Sequence, residues 1–67
     1  MNRQSVSSSR MRSVGWENDI LEIEFHDGAI YHYYDVSESE YRSFMSSSSL
    51  GSELSRLDKI KRYSPVR

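Results

Sequence analysis

The strictest alternation in the chain runs from Ile20 to Phe25. Leu21, Ile23 and Phe25 face one way, and Glu22 and Glu24 the other. A period of two carried by β-forming residues predicts a half-buried antiparallel strand. A second alternating stretch, Arg10-Met11-Arg12-Ser13-Val14, precedes it, with Gly15 marking a bulge or bend before Trp16. Glu17, Asn18 and Asp19 supply the turn between the two. Ala29 to Val36, rich in tyrosine with Ile30 and Val36, follows His26-Asp27-Gly28 and completes a hairpin.

The length of that hairpin turn decides which tyrosines lie inside, because one residue of slip moves a whole strand to the other face. A two-residue turn at Asp27-Gly28 pairs Phe25 with Ile30 and puts Tyr31 and Tyr33 beside the glutamates. A three-residue turn, with Gly28 in the left-handed region, pairs Phe25 with Ala29, Ile23 with Tyr31 and Leu21 with Tyr33. The second is preferred. It sends both tyrosines to the apolar face, sets His32 against Glu22, and leaves Ile30 and Tyr34 on the outer face.

Helical periodicity begins at Tyr41, Phe44 and Met45. Ser37 and Glu40 stand at the spacing of a capping box, with Val36 and Tyr41 at the positions of a hydrophobic staple. Ser46 to Ser49 interrupt the pattern, since serine competes for backbone hydrogen bonds. Leu50, Leu54, Leu57 and Ile60 then mark a second helix, capped by Ser48 or Ser49 and ended before Pro65. The expected fold is α+β: a three-stranded antiparallel meander followed by two short helices on one face. Residues 1–9 read as a flexible arm, 10–63 as the single domain and 64–67 as a tail. The predicted core is Leu21, Ile23, Phe25, Tyr31, Tyr33, Tyr41, Phe44, Leu50, Leu54 and Leu57, joined by Met11, Val14 and Trp16.

Charge changes this picture more than composition does. The 67 residues carry a formal net charge of -1, which hides a strong segregation. Arg3, Arg10 and Arg12 give the first sixteen residues a charge of +3; Glu17 to Glu40 carry -8 with no Lys or Arg; Tyr41 to Arg67 carry +4. Any anion is therefore expected at the two ends and away from the hairpin. The chain has no cysteine, which excludes disulfides, thiolate metal sites and a cysteine nucleophile. His26 and His32, the only histidines, do not converge, and no phosphate loop, nucleophile elbow or zinc pattern occurs. A core this small leaves little room for a deep pocket. The expectation is a non-enzymatic protein with no cofactor, no metal and no small-molecule substrate. No apolar stretch reads as a signal peptide or a membrane span, so the expected location is the cytoplasm.

Several ordered pieces resemble the KTSC domain, a module of this length found at the C-terminus of some lysyl-tRNA synthetases and as a stand-alone bacterial or phage protein. They are Ser8-Ser9-Arg10-Met11-Arg12-Ser13-Val14-Gly15-Trp16-Glu17, Leu21 to Phe25 with Gly28, the central Tyr31-His32-Tyr33, Val36, Tyr41 and Ser49-Leu50-Gly51. The chain departs from the family pattern at Glu53, Leu54 and Ser55, where an aromatic pair and an asparagine are common. The family has no established biochemical activity; its synthetase context implies RNA or tRNA as a partner.

The residues themselves offer two surfaces. Arg10, Arg12, Lys59, Lys61, Arg62 and Arg67, with Tyr63 to stack a base, would make an RNA-binding face if the ends meet in space. The plainer reading pairs Arg10 and Arg12 with Glu22 and Glu24 across strands, and sets Lys59 to Arg62 at a helix C-terminus. Ile30, His32 and Tyr34, on the outer sheet face, would alternatively form a protein interface, including a homodimer. The Ser46–Ser49 loop could hold a phosphate or serve only as caps.

Overall fold

The computed structural model covers residues 1–67. Five antiparallel strands lie side by side in chain order: β1 (Arg3–Ser5), β2 (Met11–Glu17), β3 (Ile20–Phe25), β4 (Ile30–Tyr33) and β5 (Tyr63–Pro65). Helices α1 (Glu38–Met45) and α2 (Leu50–Ile60) are inserted between β4 and β5. The expected three strands are the middle of this sheet. The segment read as an arm adds β1 against β2, and the segment read as a tail adds β5 against β4. Both additions are only three residues long and neither alternates, so neither advertises itself as a strand.

The central register follows from the hairpin turn. Leu21 pairs with Tyr33, Glu22 with His32 and Ile23 with Tyr31, while the Phe25 N–H donates to the Ala29 carbonyl at 2.8 Å. Gly28 takes a φ of 93°, which its missing Cβ permits. This is the three-residue turn. The β2–β3 connection is tighter, with Asn18 and Asp19 both at positive φ. The irregularity in β2 falls between Met11 and Ser13, at Arg12, and not at Gly15 as the sequence suggested.

One face of the sheet carries the core. Met11, Val14, Leu21, Ile23 and Tyr33 meet Phe44 of α1 and Leu54 and Leu57 of α2, all buried. Phe25, Tyr31, Tyr41, Leu50 and Trp16 are only partly buried and surround that cluster. Val36, expected only as one half of a staple, is fully buried. Trp16 fixes this corner: its indole N–H donates to the Val36 carbonyl at 2.7 Å, and its ring stacks on Tyr41 at 5.9 Å.

The helix starts are as the serines indicate. The Ser37 hydroxyl accepts from the Glu40 N–H at 3.1 Å, and the Glu40 carboxylate accepts from the Ser37 N–H at 3.0 Å. Ser49 caps α2, and the Lys61 N–H closes its far end on the Leu57 carbonyl. No helix of the structure is long and apolar enough to cross a membrane.

Candidate functional site

The antiparallel order of the sheet sorts the basic residues. β4 runs from the hairpin turn to Asp35, and β5 runs back beside it. Arg62 and Lys61 therefore lie at the Asp35 end, and Arg67 lies at the turn end, where its carbonyl accepts from the Ile30 N–H. Arg12 also belongs to the turn end, donating to the His26 carbonyl at 3.2 Å. The cations thus form two groups on opposite sides of the hairpin.

At the Asp35 end the charge is spent internally. Lys61 Nζ donates to the Asp35 carbonyl at 2.6 Å and pairs with Glu40 at 3.0 Å. Backbone donation from Ser37, then the Lys61 ammonium, hold the Glu40 carboxyl below its usual range against the opposing effect of burial. Arg62 faces Asp35 at 3.5 Å and lies over the Tyr34 ring at 5.6 Å. The Arg62–Asp35 pair is highly exposed, and such pairs contribute little. Lys59 is exposed on α2 with no ion pair within 4.0 Å.

A cleft of about 340 Å³ runs from the hairpin turn to the Tyr33–Tyr63 pair, along the helix-facing side of β4 and bordered by Asp58 of α2. Its floor is aromatic. Phe25 and Tyr31 meet edge to face at 5.4 Å, and Tyr63 tilts against Tyr31 at 6.0 Å and Tyr33 at 5.1 Å. The rings gather because the three-residue turn sends Phe25, Tyr31 and Tyr33 to one face, and β5 places Tyr63 opposite Tyr33. Tyr63 is 47% exposed, so part of this floor faces solvent.

Arg10 borders the cleft. Its guanidinium lies 5.9 Å from the Phe25 ring centre, 3.5 Å from Asp58 and 3.2 Å from the Ser55 hydroxyl. Asp58 also accepts from the Tyr33 hydroxyl at 2.6 Å. Burial, with the Asp58 carboxylate beside it, pushes the Tyr33 phenol well above its ordinary value, so it stays a donor. Asp27 completes the lining from the turn, where one of its oxygens accepts from the Ala29 N–H at 3.0 Å.

The outer face is built differently. One row crosses all five strands: Arg3, Gly15, Glu22, His32 and Ser64. Arg3 reaches over Gly15 to Glu22 at 2.6 Å, and Glu22 also meets His32 at 2.7 Å. Burial would raise the Glu22 carboxyl, but the bonds from His32 and Arg3 outweigh it and hold the carboxyl low. The Ser13 hydroxyl accepts from Arg3 at 2.9 Å and donates to Glu24 at 2.8 Å. Tyr34 bonds Ser64 at 2.7 Å.

Sequence reasoning placed these residues unevenly. Arg10 and Tyr63 converge on the cleft, from opposite ends of the chain; Arg12 and Arg67 flank the same turn; Lys61 and Arg62 do not join them. The cross-strand partner of Glu22 and Glu24 is Arg3, in place of Arg10 and Arg12. Ile30 is on the outer side of β4 as expected, yet only 5% exposed. Val66 and Arg67 bond its backbone, and little of its side chain is left to meet a partner. Asp58 was missed altogether. It is one of only two acids among the basic C-terminal residues, which was the one available hint.

Comparison with known proteins agrees with this architecture. Residues 7–63 match the KTSC domain. The chain belongs to the KTSC domain family. An uncharacterised protein of Stutzerimonas stutzeri is 35% identical over 65 residues, spanning 94% of this chain and 92% of that one. The crystal structure of a KTSC domain protein from Yersinia pestis superposes with a TM-score of 0.88 at 35% identity, covering 98% of this chain and 97% of the other. The KTSC match takes in Arg10, the aromatic floor and Tyr63, but excludes β1 and Arg67.

Proposed function

We propose that this KTSC protein binds single-stranded RNA without catalysis, and that the aromatic cleft takes one base. The observation that carries the reading is that Arg10, over Phe25, and Tyr63, against Tyr31 and Tyr33, line one cleft. Single-stranded bases stack on aromatic and guanidinium faces, and cations beside such a platform hold the backbone. Arg12 and Arg67, on the same side of the hairpin, are the cations suited to phosphates. Lys61 and Arg62, already paired with Glu40 and Asp35, contribute less. The alternative, a protein interface on the outer face, has less support, because Ile30 is covered and the polar groups there bond one another.

The test is fluorescence anisotropy with short labelled RNA. Two phosphate contacts, by Arg12 and Arg67, give a log–log salt slope of about -1.4, so affinity falls roughly 7-fold between about 50 and about 200 mM salt. Tyr63→Ala removes one stacking partner, worth about 1–3 kcal/mol, and weakens binding roughly 5- to 150-fold. Lys61→Glu with Arg62→Glu has a smaller effect. Wild-type affinity in a folded Tyr63→Ala protein, or no saturable binding at low salt, would overturn the proposal.

A further inference from the structure

We infer that the cleft selects guanine, an inference that rests on the reading that it takes an RNA base. Two polar readers of opposite character border one aromatic floor. Arg10 is the donor. Its bonds to Asp58 at 3.5 Å and Ser55 at 3.2 Å are long, and a guanidinium has five N–H groups, so donors remain for a ligand. Asp27 is the acceptor. One oxygen holds the Ala29 N–H, and the other has no hydrogen-bond or ion-pair partner in the protein. Asp58 is the less open carboxylate, since one oxygen takes the Tyr33 hydroxyl at 2.6 Å and the other faces Arg10.

A base that satisfies both must offer adjacent acceptors on one edge and adjacent donors on the next. Guanine does so: O6 and N7 accept, as in its common pairing with arginine, and N1–H with the 2-amino group donates to a carboxylate. Uracil lacks an amino group, adenine lacks a carbonyl, and cytosine lacks the adjacent pair of donors. A free carboxylate oxygen also repels phosphate, which favours a base over the backbone at this point of the surface. The volume of about 340 Å³ is at the small end for ligand sites, which suits one ring system.

The experiment compares labelled pentamers of uridine whose central base is guanine, adenine, cytosine, uracil or hypoxanthine, which lacks the 2-amino group. The guanine pentamer binds tightest, roughly tenfold above adenine, cytosine and uracil, with hypoxanthine between. Asp27→Asn keeps the turn, because an asparagine oxygen can accept from the Ala29 N–H as the aspartate does. It narrows the preference for guanine to the share that Arg10 supplies through O6 and N7, and removes the difference between guanine and hypoxanthine, while the all-uracil pentamer binds no more weakly than it does to the wild type. Equal affinity for all five, or a preference for another base, overturns the guanine assignment and leaves RNA binding standing. An unchanged guanine preference in Asp27→Asn also overturns it. Failure of every pentamer to bind at low salt overturns both readings.

Discussion

Gly15 shows how a single missing methyl group decides where a strand can lie. A Cβ at this position would stand 2.7 Å from the Asn2 carbonyl oxygen and 3.1 Å from Arg3 Cγ. The obstruction includes backbone, which cannot swing aside as a side-chain tip can. Arg3 pairs with Gly15 in the register and passes over it to reach Glu22, so the bare glycine allows both β1 and the ion pair. Gly15→Ala is expected to push β1 off the sheet and cost about 1–3 kcal/mol, the usual range for an overpacked site. The midpoint of urea unfolding measures the loss. In a chain beginning at Val6 the same substitution should cost almost nothing, because the groups it meets are gone. An equal cost in both backgrounds would place the constraint within β2.

The start of α1 is decided by four residues and then tied to the rest of the fold. Ser37 and Glu40 satisfy each other's backbone N–H groups, and Glu40 also receives Lys61 from beyond α2. Ser37→Ala removes one side of the box and is expected to cost about 0.5–2 kcal/mol. In a domain of this size each kcal/mol lowers the melting temperature by roughly 4–8 °C, which thermal unfolding resolves. Ser37→Thr should retain most of the stability. Elements of this kind were legible because their signals are local. A capping box spans four residues, and alternation with a turn glycine fixed the register that buries Tyr33 and half-buries Tyr31. Strands β1 and β5 were not legible, since three residues without alternation acquire strand geometry only from the partner they pair with. The cleft was half legible for the same reason. Arg10 and Tyr63 are legible as candidates, but their convergence on one cleft depends on β5 pairing with β4. Ile30 lies on the expected side of β4 and is nevertheless nearly buried, which alternation along one strand does not reveal.

At the scale of the whole molecule the segregated charges become pairs. Glu22 and Glu24 receive Arg3 from the first block, while Asp35 and Glu40 receive Arg62 and Lys61 from the last. The acidic centre is thus held by cations from both ends of the chain. Arg42 and Arg56 pair with Glu38 and Glu53 on their own helices, Arg10 pairs with Asp58 at the cleft, and Arg12, Lys59 and Arg67 make no ion pair. The arrangement has a definite sign with acid. Glu22 and Glu40 are both held below their ordinary carboxylate values in the folded protein. A depressed carboxyl stabilises the fold fully above its unfolded pKa of about 4.3, and that contribution disappears as the pH falls through the lower folded value. Glu22 should dominate, since its side chain is 13% exposed against 38% for Glu40 and it binds both Arg3 and His32. Glu22→Gln is therefore expected to lower stability at pH about 7 while reducing the further loss on acidification to pH about 3, because its amide does not titrate in this range. Urea midpoints of both proteins across that range test this. An acid loss as steep in Glu22→Gln as in the wild type would assign the acid sensitivity to Glu40 and the other carboxylates, and would reduce the row across the five strands to a neutral-pH contact.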